Sequence, residues 1–295
     1  MALSPNRCNA DSKGHELVQH GTAAFPIACY ENDMSRVLVP WHWHEELEAG
    51  VILEGNLILA VGSERYTLHA GEGFFLNTGT IHSCWDDASN CCFLSAVFHP
   101  RLVGGSLDSV IYQSYVQPLL ENHNLECMIF SPNILWQKEC LDDIERAWKM
   151  CAQEPCGFEI KTRNALSDFL LSLYPQIHTS QRKPSEKALR EEERMKAMLQ
   201  FIHTNMSEEI KLEQIARSAA ISPSECIRCF RSTIGITPIQ YLRSYRIQRA
   251  AQMLVDTEER ISIISENCGF LDISYFTKTF REIIGCTPAE YRKKD

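Results

Sequence analysis

Three histidines and one glutamate have residue types and a spacing that suit a metal or small-molecule site: His42, His44, Glu48 and His82. In an extended strand, alternation would place His42, His44, Glu46 and Glu48 on one face, with Trp41 and Trp43 on the other. Three imidazoles and one carboxylate suit Zn, Fe, Mn, Ni or Cu. The sequence therefore predicts a common site for these four side chains.

The spacing of these residues follows two ordered motifs. The first is His42-x-His44-x3-Glu48-x6-Gly55, and the second is Gly71-x7-Gly79-x2-His82. Together they resemble the paired motifs of cupin β-barrels, and all four ligand positions match. The departures concern turns and strand ends rather than ligands, since Arg36, Asn77 and Asp86 stand where the family has Gly, Pro and Asn.

The resemblance implies a barrel around these side chains and leaves two alternatives for the site. In one, His42, His44, Glu48 and His82 hold a divalent transition metal that senses an effector or helps to bind it. In the other, they line a small-molecule pocket or form hydrogen-bonded core groups, and no metal cofactor is bound. Because function belongs to sites rather than to folds, a barrel alone does not indicate catalysis, and we expect no enzyme activity.

The elements around this site change character along the chain. Residues 36–98 contain short apolar or alternating runs between glycine-rich turns, a pattern typical of an all-β sandwich or barrel. Amphipathic periodicity then predicts two helices, 134–153 and 158–174, with Pro175 ending the second. This hairpin either caps the barrel or forms a dimer seam. Residues 178–188 are polar and aperiodic, which predicts a linker.

Composition supports a protein of two parts. The chain has 295 residues, enough for two domains, and 44% hydrophobic content, enough for a sizeable core. Residues 1–188 carry a net charge of −10 and residues 189–295 a net charge of +1. The polar N-terminus, the absence of a long apolar run and an odd count of 13 cysteines predict a reduced, cytoplasmic protein.

The C-terminal third contains an internal repeat. Phe230, Gly235 and Pro238 recur at the same spacing as Phe280, Gly285 and Pro288. Each copy is a short helix, a tight turn and a second helix that closes with Gly-x-Thr-Pro, which is the layout of a helix-turn-helix. An all-α interaction domain would share this layout. Helical spacing assigns Cys226, Cys229 and Phe230 to the core of the first copy, rather than to a zinc site.

The same region resembles the AraC-type (arabinose-regulator) family of bacterial transcription regulators over residues 190–294. The strongest match is the second copy, Gly269-Phe270, Ser274-Tyr-Phe-Thr-Lys-Thr-Phe-Arg281, Gly285-Cys-Thr-Pro288 and Tyr291-Arg292. The first copy matches through Ile215-Ala216, Ser222-Pro223, Phe230-Arg231, Gly235-Ile-Thr-Pro238 and Tyr241-Leu242. The resemblance implies two helix-turn-helix subdomains that dock in successive major grooves.

Carried over by position, the resemblance implies a set of DNA-contacting residues in the two recognition helices. They are Ser224, Ile227, Arg228, Arg231, Ile273, Ser274, Thr277, Lys278 and Arg281. Arg, Lys, Ser and Thr contact base edges or phosphates, and Arg228 is the one side chain of the first helix able to make a bidentate contact to guanine. Ile227 and Ile273 suit apolar contact to a thymine methyl group.

The predicted fold is therefore multidomain, β then α. It comprises a cupin-like effector-binding and dimerisation domain (1–177), a linker (178–188) and an all-α domain with two helix-turn-helix subdomains (189–295). The predicted function is ligand-responsive transcription regulation, with a sugar or related metabolite as effector. Expected partners are double-stranded promoter DNA, a second copy of the chain and RNA polymerase. The alternative is a cupin metalloprotein or enzyme with a helical interaction domain.

Overall fold

A computed structural model describes residues 20–34, 39–87, 90–122, 124–177 and 186–293. Contacts divide the chain into two compact units, with the boundary at Ala188 and Leu189. Strands dominate the first unit and the second is all helix, so the predicted fold class, β then α, is confirmed. Within the described ranges, no helix combines the length and apolar character that crossing a membrane requires.

The described residues of the first unit form nine strands in two antiparallel sheets. The strands are β1 (Ile27–Asp33), β2 (Val39–His42), β3 (Leu47–Glu54), β4 (Asn56–Val61), β5 (Glu64–His69), β6 (Gly73–Leu76), β7 (His82–Asp86), β8 (Cys92–Phe98) and β9 (Cys127–Phe130). One sheet has the order β1-β8-β3-β6-β9 and the other β2-β7-β4-β5. Apolar side chains of both sheets pack together between them.

The five-stranded sheet is buried on both faces. Since a strand presents alternate residues to opposite sides, each strand contributes side chains to two separate packed layers. On β3, Leu47, Ala49 and Val51 pack against helices, whereas Ile52 packs toward the other sheet. Glu48 therefore projects with Ile52 toward the space between the sheets. The core of the unit is thus two layers, and the candidate site lies in the inner one.

The strand alternation considered for the histidine motif does not run through residues 43–46. Strand β2 ends at His42 and β3 begins at Leu47, and the two strands belong to different sheets. The intervening residues cross from one sheet to the other, so Glu46 does not share a strand face with the histidines. Strands β1 and β9 lie outside the predicted strand region of residues 36–98. Strand β1 precedes that region, and β9, a four-residue strand at the edge of its sheet, follows it.

The predicted helical hairpin forms and covers the outer face of the five-stranded sheet. It consists of α3 (Leu135–Gln153) and α4 (Phe158–Ile177) and follows two short helices, α1 (Arg101–Gly104) and α2 (Gln117–Leu120), with a π-helical turn over Tyr112–Val116 between them. Ile144 and Phe169 are fully buried against strand residues such as Phe75. Helix α4 continues past Pro175, because a proline in the last turn removes only one backbone hydrogen bond.

The second unit consists of seven helices among the described residues. They are α5 (Glu186–Asn205), α6 (Leu212–Ser218), α7 (Pro223–Thr233), α8 (Pro238–Asp256), α9 (Ile261–Asn267), α10 (Ile273–Ile284) and α11 (Pro288–Arg292). Helices α7, α8 and α11 each begin at a proline, and the preceding residue, Ser222, Thr237 or Thr287, accepts a backbone hydrogen bond as N-cap. Because α5 begins at Glu186, the last residues of the predicted linker are helical; residues 178–185 lie outside the described ranges.

The two copies of the repeat have matching burial. In α7, Cys226, Cys229 and Phe230 are buried, and Phe276 and Phe280 are buried at the equivalent positions of α10. Helix α8 joins the copies and packs against α6, α7, α9, α10 and α11. The C-x-x-C pair is therefore part of the hydrophobic core, as its helical spacing predicted.

Gly269 in the second copy is required by both conformation and space. Its φ is +73°, and a Cβ there would meet the Met206 carbonyl oxygen and the Arg246 guanidinium group. That guanidinium donates a 2.7 Å hydrogen bond to the same carbonyl, so neither neighbour is free to withdraw. Gly285 has a φ of +89° but has nothing within 4 Å of the added Cβ.

We expect Gly269→Ala to lower the free energy of unfolding of the second unit by about 3 kcal/mol. Gly285→Ala, which adds left-handed strain without the clash, is the control and should cost about 1 kcal/mol. All five tryptophans lie in the first unit. The urea midpoint measured by tryptophan fluorescence should therefore stay unchanged. The midpoint of the helical unfolding transition measured by circular dichroism should fall. Equal shifts for the two variants would contradict this account.

Candidate functional site

The four residues predicted for the barrel site lie together in the first unit. His42 ends β2 and faces His82, the first residue of β7, across the strand pair, with ring centroids 4.1 Å apart. His44 follows in the crossing segment, and its ring centroid lies 5.2 Å from that of His82. Glu48 approaches from β3 in the other sheet. Three strands from two sheets, together with the crossing segment, therefore supply the cluster.

The crossing segment is held by the glycine-rich loop of the second motif. The backbone N–H of Gly79, whose φ is +70°, donates a 2.8 Å hydrogen bond to the His44 carbonyl. The Thr78 hydroxyl donates a 2.8 Å hydrogen bond to the Glu45 carbonyl. These bonds fix the backbone of residues 44 and 45, and so the direction of the His44 ring.

Each imidazole of the cluster is oriented by a backbone carbonyl two residues away. His42 Nδ1 lies 2.8 Å from the Pro40 oxygen, His44 Nδ1 lies 3.1 Å from the Glu46 oxygen and His82 Nδ1 lies 2.9 Å from the Thr80 oxygen. A carbonyl oxygen only accepts, so Nδ1 carries the hydrogen in all three rings. In the neutral rings, Nε2 is then the atom with the lone pair.

The carboxylate of Glu48 faces these Nε2 atoms. Its Oε2 lies 3.4 Å from Nε2 of both His44 and His82. Burial alone would raise the pKa of Glu48, but hydrogen bonds and charge interactions with the two histidines outweigh it and hold that pKa well below its usual range. The carboxylate is therefore ionised and needs a positive partner, either a proton on the imidazoles or a bound cation.

The donor set fits a divalent transition metal. One ring nitrogen from each of His42, His44 and His82 lies within 4.8 Å of the others, and all three residues are buried. Carbonyl hydrogen bonds to Nδ1 are the usual second contact of metal-binding histidines. The same arrangement also suits a polar small molecule, so the geometry is compatible with both alternatives from the sequence.

A cavity of about 40 Å³ opens beside this cluster between the two sheets. Its polar lining adds residues that the sequence analysis missed, His20, Tyr30, Asn32 and Ser95. Tyr30 Oη lies 2.8 Å from His20 Nδ1, and Asn32 donates a 3.2 Å hydrogen bond to the Ser95 hydroxyl across the β1–β8 pair. Ser95 within an otherwise apolar run was the available sequence signal. The remaining lining is apolar, including Leu59 and Phe93.

In the second unit, the residues predicted to contact DNA occupy exposed positions of the two recognition helices. In α7, Ser224, Arg228 and Arg231 are exposed and Ile227 is half-buried. In α10, Ile273, Ser274, Lys278 and Arg281 are exposed and Thr277 is half-buried, and its hydroxyl donates a 2.8 Å hydrogen bond to the Ile273 carbonyl. Ser224, Ile227, Arg228 and Arg231 occupy the positions that Ser274, Thr277, Lys278 and Arg281 have in the second copy.

Arg228 has the most extensive contacts of these side chains. Its Nε and Nη2 lie 2.9 and 2.7 Å from the two carboxylate oxygens of Glu225, one turn earlier on α7. Nη2 also lies 3.0 Å from Glu191 Oε1 of α5. The side chain of Arg228 is nevertheless 51% exposed. The Glu191 contact was not predictable from the sequence, because the two residues are far apart in the chain.

Comparison with known proteins agrees with the two units. Residues 25–130 match the model of the AraC-like ligand binding domain, and residues 215–294 match that of a helix-turn-helix domain. The chain is 31% identical over 287 residues to the HTH-type transcriptional regulator YdeC of Bacillus subtilis, covering 96% of this chain and 97% of that protein. It is 30% identical over 257 residues to the transcriptional activator RhaR of Mannheimia succiniciproducens, covering 86% and 87%.

The whole chain also resembles a solved structure. A crystal structure of an apo variant of ToxT from Vibrio cholerae aligns with a TM-score of 0.51 at 14% identity, covering 93% of this chain and 98% of that one. At this identity the likeness concerns the fold alone. The full-length relatives and the two domain matches establish that this chain belongs to the AraC-type family of DNA-binding transcription regulators with an N-terminal ligand-binding domain.

Proposed function

We propose that this regulator senses a small molecule through a metal centre in its barrel, at His42, His44, Glu48 and His82. The observation that carries the proposal is that ring nitrogens of three buried histidines lie within 4.8 Å of one another, with a carboxylate oxygen 3.4 Å from Nε2 of His44 and of His82. The negative oxygen is balanced either by a proton on an imidazole or by a cation bound among these groups. A divalent metal ligated by these groups would supply that charge and a position for an effector oxygen or nitrogen.

The cavity volume limits what binds beside the cluster. About 40 Å³ exceeds the roughly 10–15 Å³ that one water molecule needs, so the space suits an ion and a few small groups. A sugar ring, the effector that the sequence analysis expected, would require the walls to move apart. The mixed lining, with His20, Tyr30 and Asn32 near apolar Leu59 and Phe93, favours an effector with one polar end.

We expect the double variant His42→Ala, His44→Ala to lose metal binding. Full-length protein equilibrated with Zn²⁺ and then desalted should hold about one ion per chain, and the variant much less, because two ligands are missing. His69→Ala is the control, since His69 is exposed and pairs with Asn56 on the same unit. Elemental analysis gives the result. Equal zinc in the double variant and wild type would contradict the metal centre and favour the metal-free pocket.

We also propose roles for the exposed residues of the recognition helices. Arg228 reads a base, because its fork geometry suits O6 and N7 of guanine. Arg231 lies three residues later, near the end of α7, and contacts phosphate. Lys278 and Arg281 occupy the equivalent positions of α10. These assignments are supported by the matching burial of the two helices and by the family match over residues 215–294.

We expect Arg228→Ala and Arg231→Ala to differ in kind. Arg228→Ala should relax preference at one operator position by about 1–3 kcal/mol and leave the rest of the preference intact. Arg231→Ala should weaken binding to all sequences about equally and lower the slope of log affinity against log salt by about one unit. Titration of both variants against single-substitution duplexes at two salt concentrations separates these effects. Uniform weakening by Arg228→Ala would refute its reading role.

The helical hairpin is proposed to mediate dimerisation as well as to cover the sheet. Its buried faces are occupied by the barrel, but Leu135, Ile160 and Leu171 remain exposed on α3 and α4. Leu171, which is 57% exposed in the middle of α4, offers an apolar contact to a second copy. Within a dimer, a change at the effector site alters the relative placement of two DNA-binding units.

We expect Leu171→Glu to lower the dimer fraction measured by analytical ultracentrifugation across a concentration series. A charge buried at a subunit interface is unfavourable, so the dissociation constant should rise by about tenfold or more. Leu53→Glu is the control, because Leu53 is also exposed but lies on β3. If the two variants associate equally, the dimer contact lies elsewhere.

Three further parts of the proposal concern the setting of this function. Because the full-length relatives are transcription regulators, we infer that the chain is not an enzyme. Chromosomal DNA as the target makes the bacterial cytoplasm its site of action. Contact with RNA polymerase is proposed as the way in which binding at a promoter changes transcription.

A further inference from the structure

Arg228 is held by two carboxylates that differ in their own surroundings. Glu225 also has Arg194 of α5 at 3.8 Å, so it keeps a cationic neighbour if Arg228 moves. Among the described residues, Glu191 forms its ion pair with Arg228, at 3.0 Å. Glu191 therefore depends on Arg228 more than Glu225 does.

The atoms involved determine which contacts compete. A guanidinium group has five N–H bonds, one on Nε and two on each terminal nitrogen. Glu225 binds the edge formed by Nε and Nη2, and Glu191 binds Nη2 again. An end-on bidentate contact to guanine needs one N–H from each terminal nitrogen. Glu191 and the base therefore compete for the second N–H of Nη2. Glu225 binds the Nε–Nη2 edge and leaves the edge between the two terminal nitrogens accessible.

The second copy of the repeat lacks this arrangement. Lys278 takes the position of Arg228, and Tyr275 takes the position of Glu225. In the part of the chain that the structure describes, Lys278 forms no ion pair, and the nearby Glu282 pairs with Arg243 at 3.4 Å. The paired carboxylates are therefore a property of the first recognition helix and not a requirement of the helix-turn-helix fold.

We propose that Glu191 is a specificity-determining residue, whose carboxylate competes with the operator base for Nη2 of Arg228. Glu225 is the positioning residue that keeps the guanidinium fork directed outward from α7. Binding of guanine requires release of Glu191, so the ion pair lowers both the affinity and the base preference at that operator position. The inference rests on the proposed role of Arg228 as a base reader.

The test uses full-length protein and a duplex selected from a random DNA pool by the wild-type chain, together with all its single-base-pair substitutions. We expect Glu191→Gln to tighten binding about two- to fivefold, the range of an exposed ion pair. The gain should be confined to duplexes that keep the base pair read by Arg228. Glu192→Gln is the matched control, because it removes the same charge from the adjacent position of α5 and its partner is Lys196.

Combination with Arg228→Ala decides the mechanism. If Glu191 acts through Arg228, Glu191→Gln has no effect on affinity in the Arg228→Ala background. An equal gain from Glu192→Gln, a gain that persists without Arg228, or weaker binding by Glu191→Gln would each overturn the inference. Uniform weakening of all duplexes by Arg228→Ala alone would instead refute the base-reading role on which the inference rests.

Discussion

The two-sided burial of strand β3 is the constraint on which the ligand-binding unit depends. Leu47, Ala49 and Val51 are fixed against the helical layer, and alternation then forces Glu48 toward the space between the sheets. A shift of one residue would place a carboxylate in the helix interface and a leucine beside the histidines. By packing on the outer face of the sheet, the helical hairpin thus fixes the direction of Glu48 without contributing a residue to the candidate site.

A buried carboxylate in turn requires the surrounding imidazoles. His44 and His82 reach it from the crossing segment and from β7, and their rings are oriented by backbone carbonyls rather than by side chains. Backbone acceptors move less than side chains, so the ring directions are set by the fold itself. This preorganisation distinguishes the cluster from histidines that merely fill a core.

Much of this architecture was predictable because it follows local rules. Helices α7, α8 and α11 begin at Ser-Pro or Thr-Pro pairs, and α7 and α10 bury residues at helical spacing. The crossing between sheets at residues 43–46 was not predictable, since alternating residues there imitate a strand. The cavity residues Tyr30 and Asn32 were missed because their role depends on which strand faces them across the barrel. The Glu191–Arg228 contact depends on helix packing, which no spacing rule gives.

The positions of charged residues along the helices explain how a unit of net charge +1 presents cations to DNA. Several of its acidic residues lie at helix starts, where a negative charge interacts favourably with the positive end of the helix dipole. Asp272 caps α10, Glu290 completes the capping box of α11 and Glu225 lies in the first turn of α7. The cations Arg228, Arg231, Lys278 and Arg281 lie further along the recognition helices. Acidic residues therefore stabilise the helices while basic residues occupy exposed positions. Net charge is a poor guide to DNA binding in such a unit, because the local arrangement of charge determines the field that a phosphate meets.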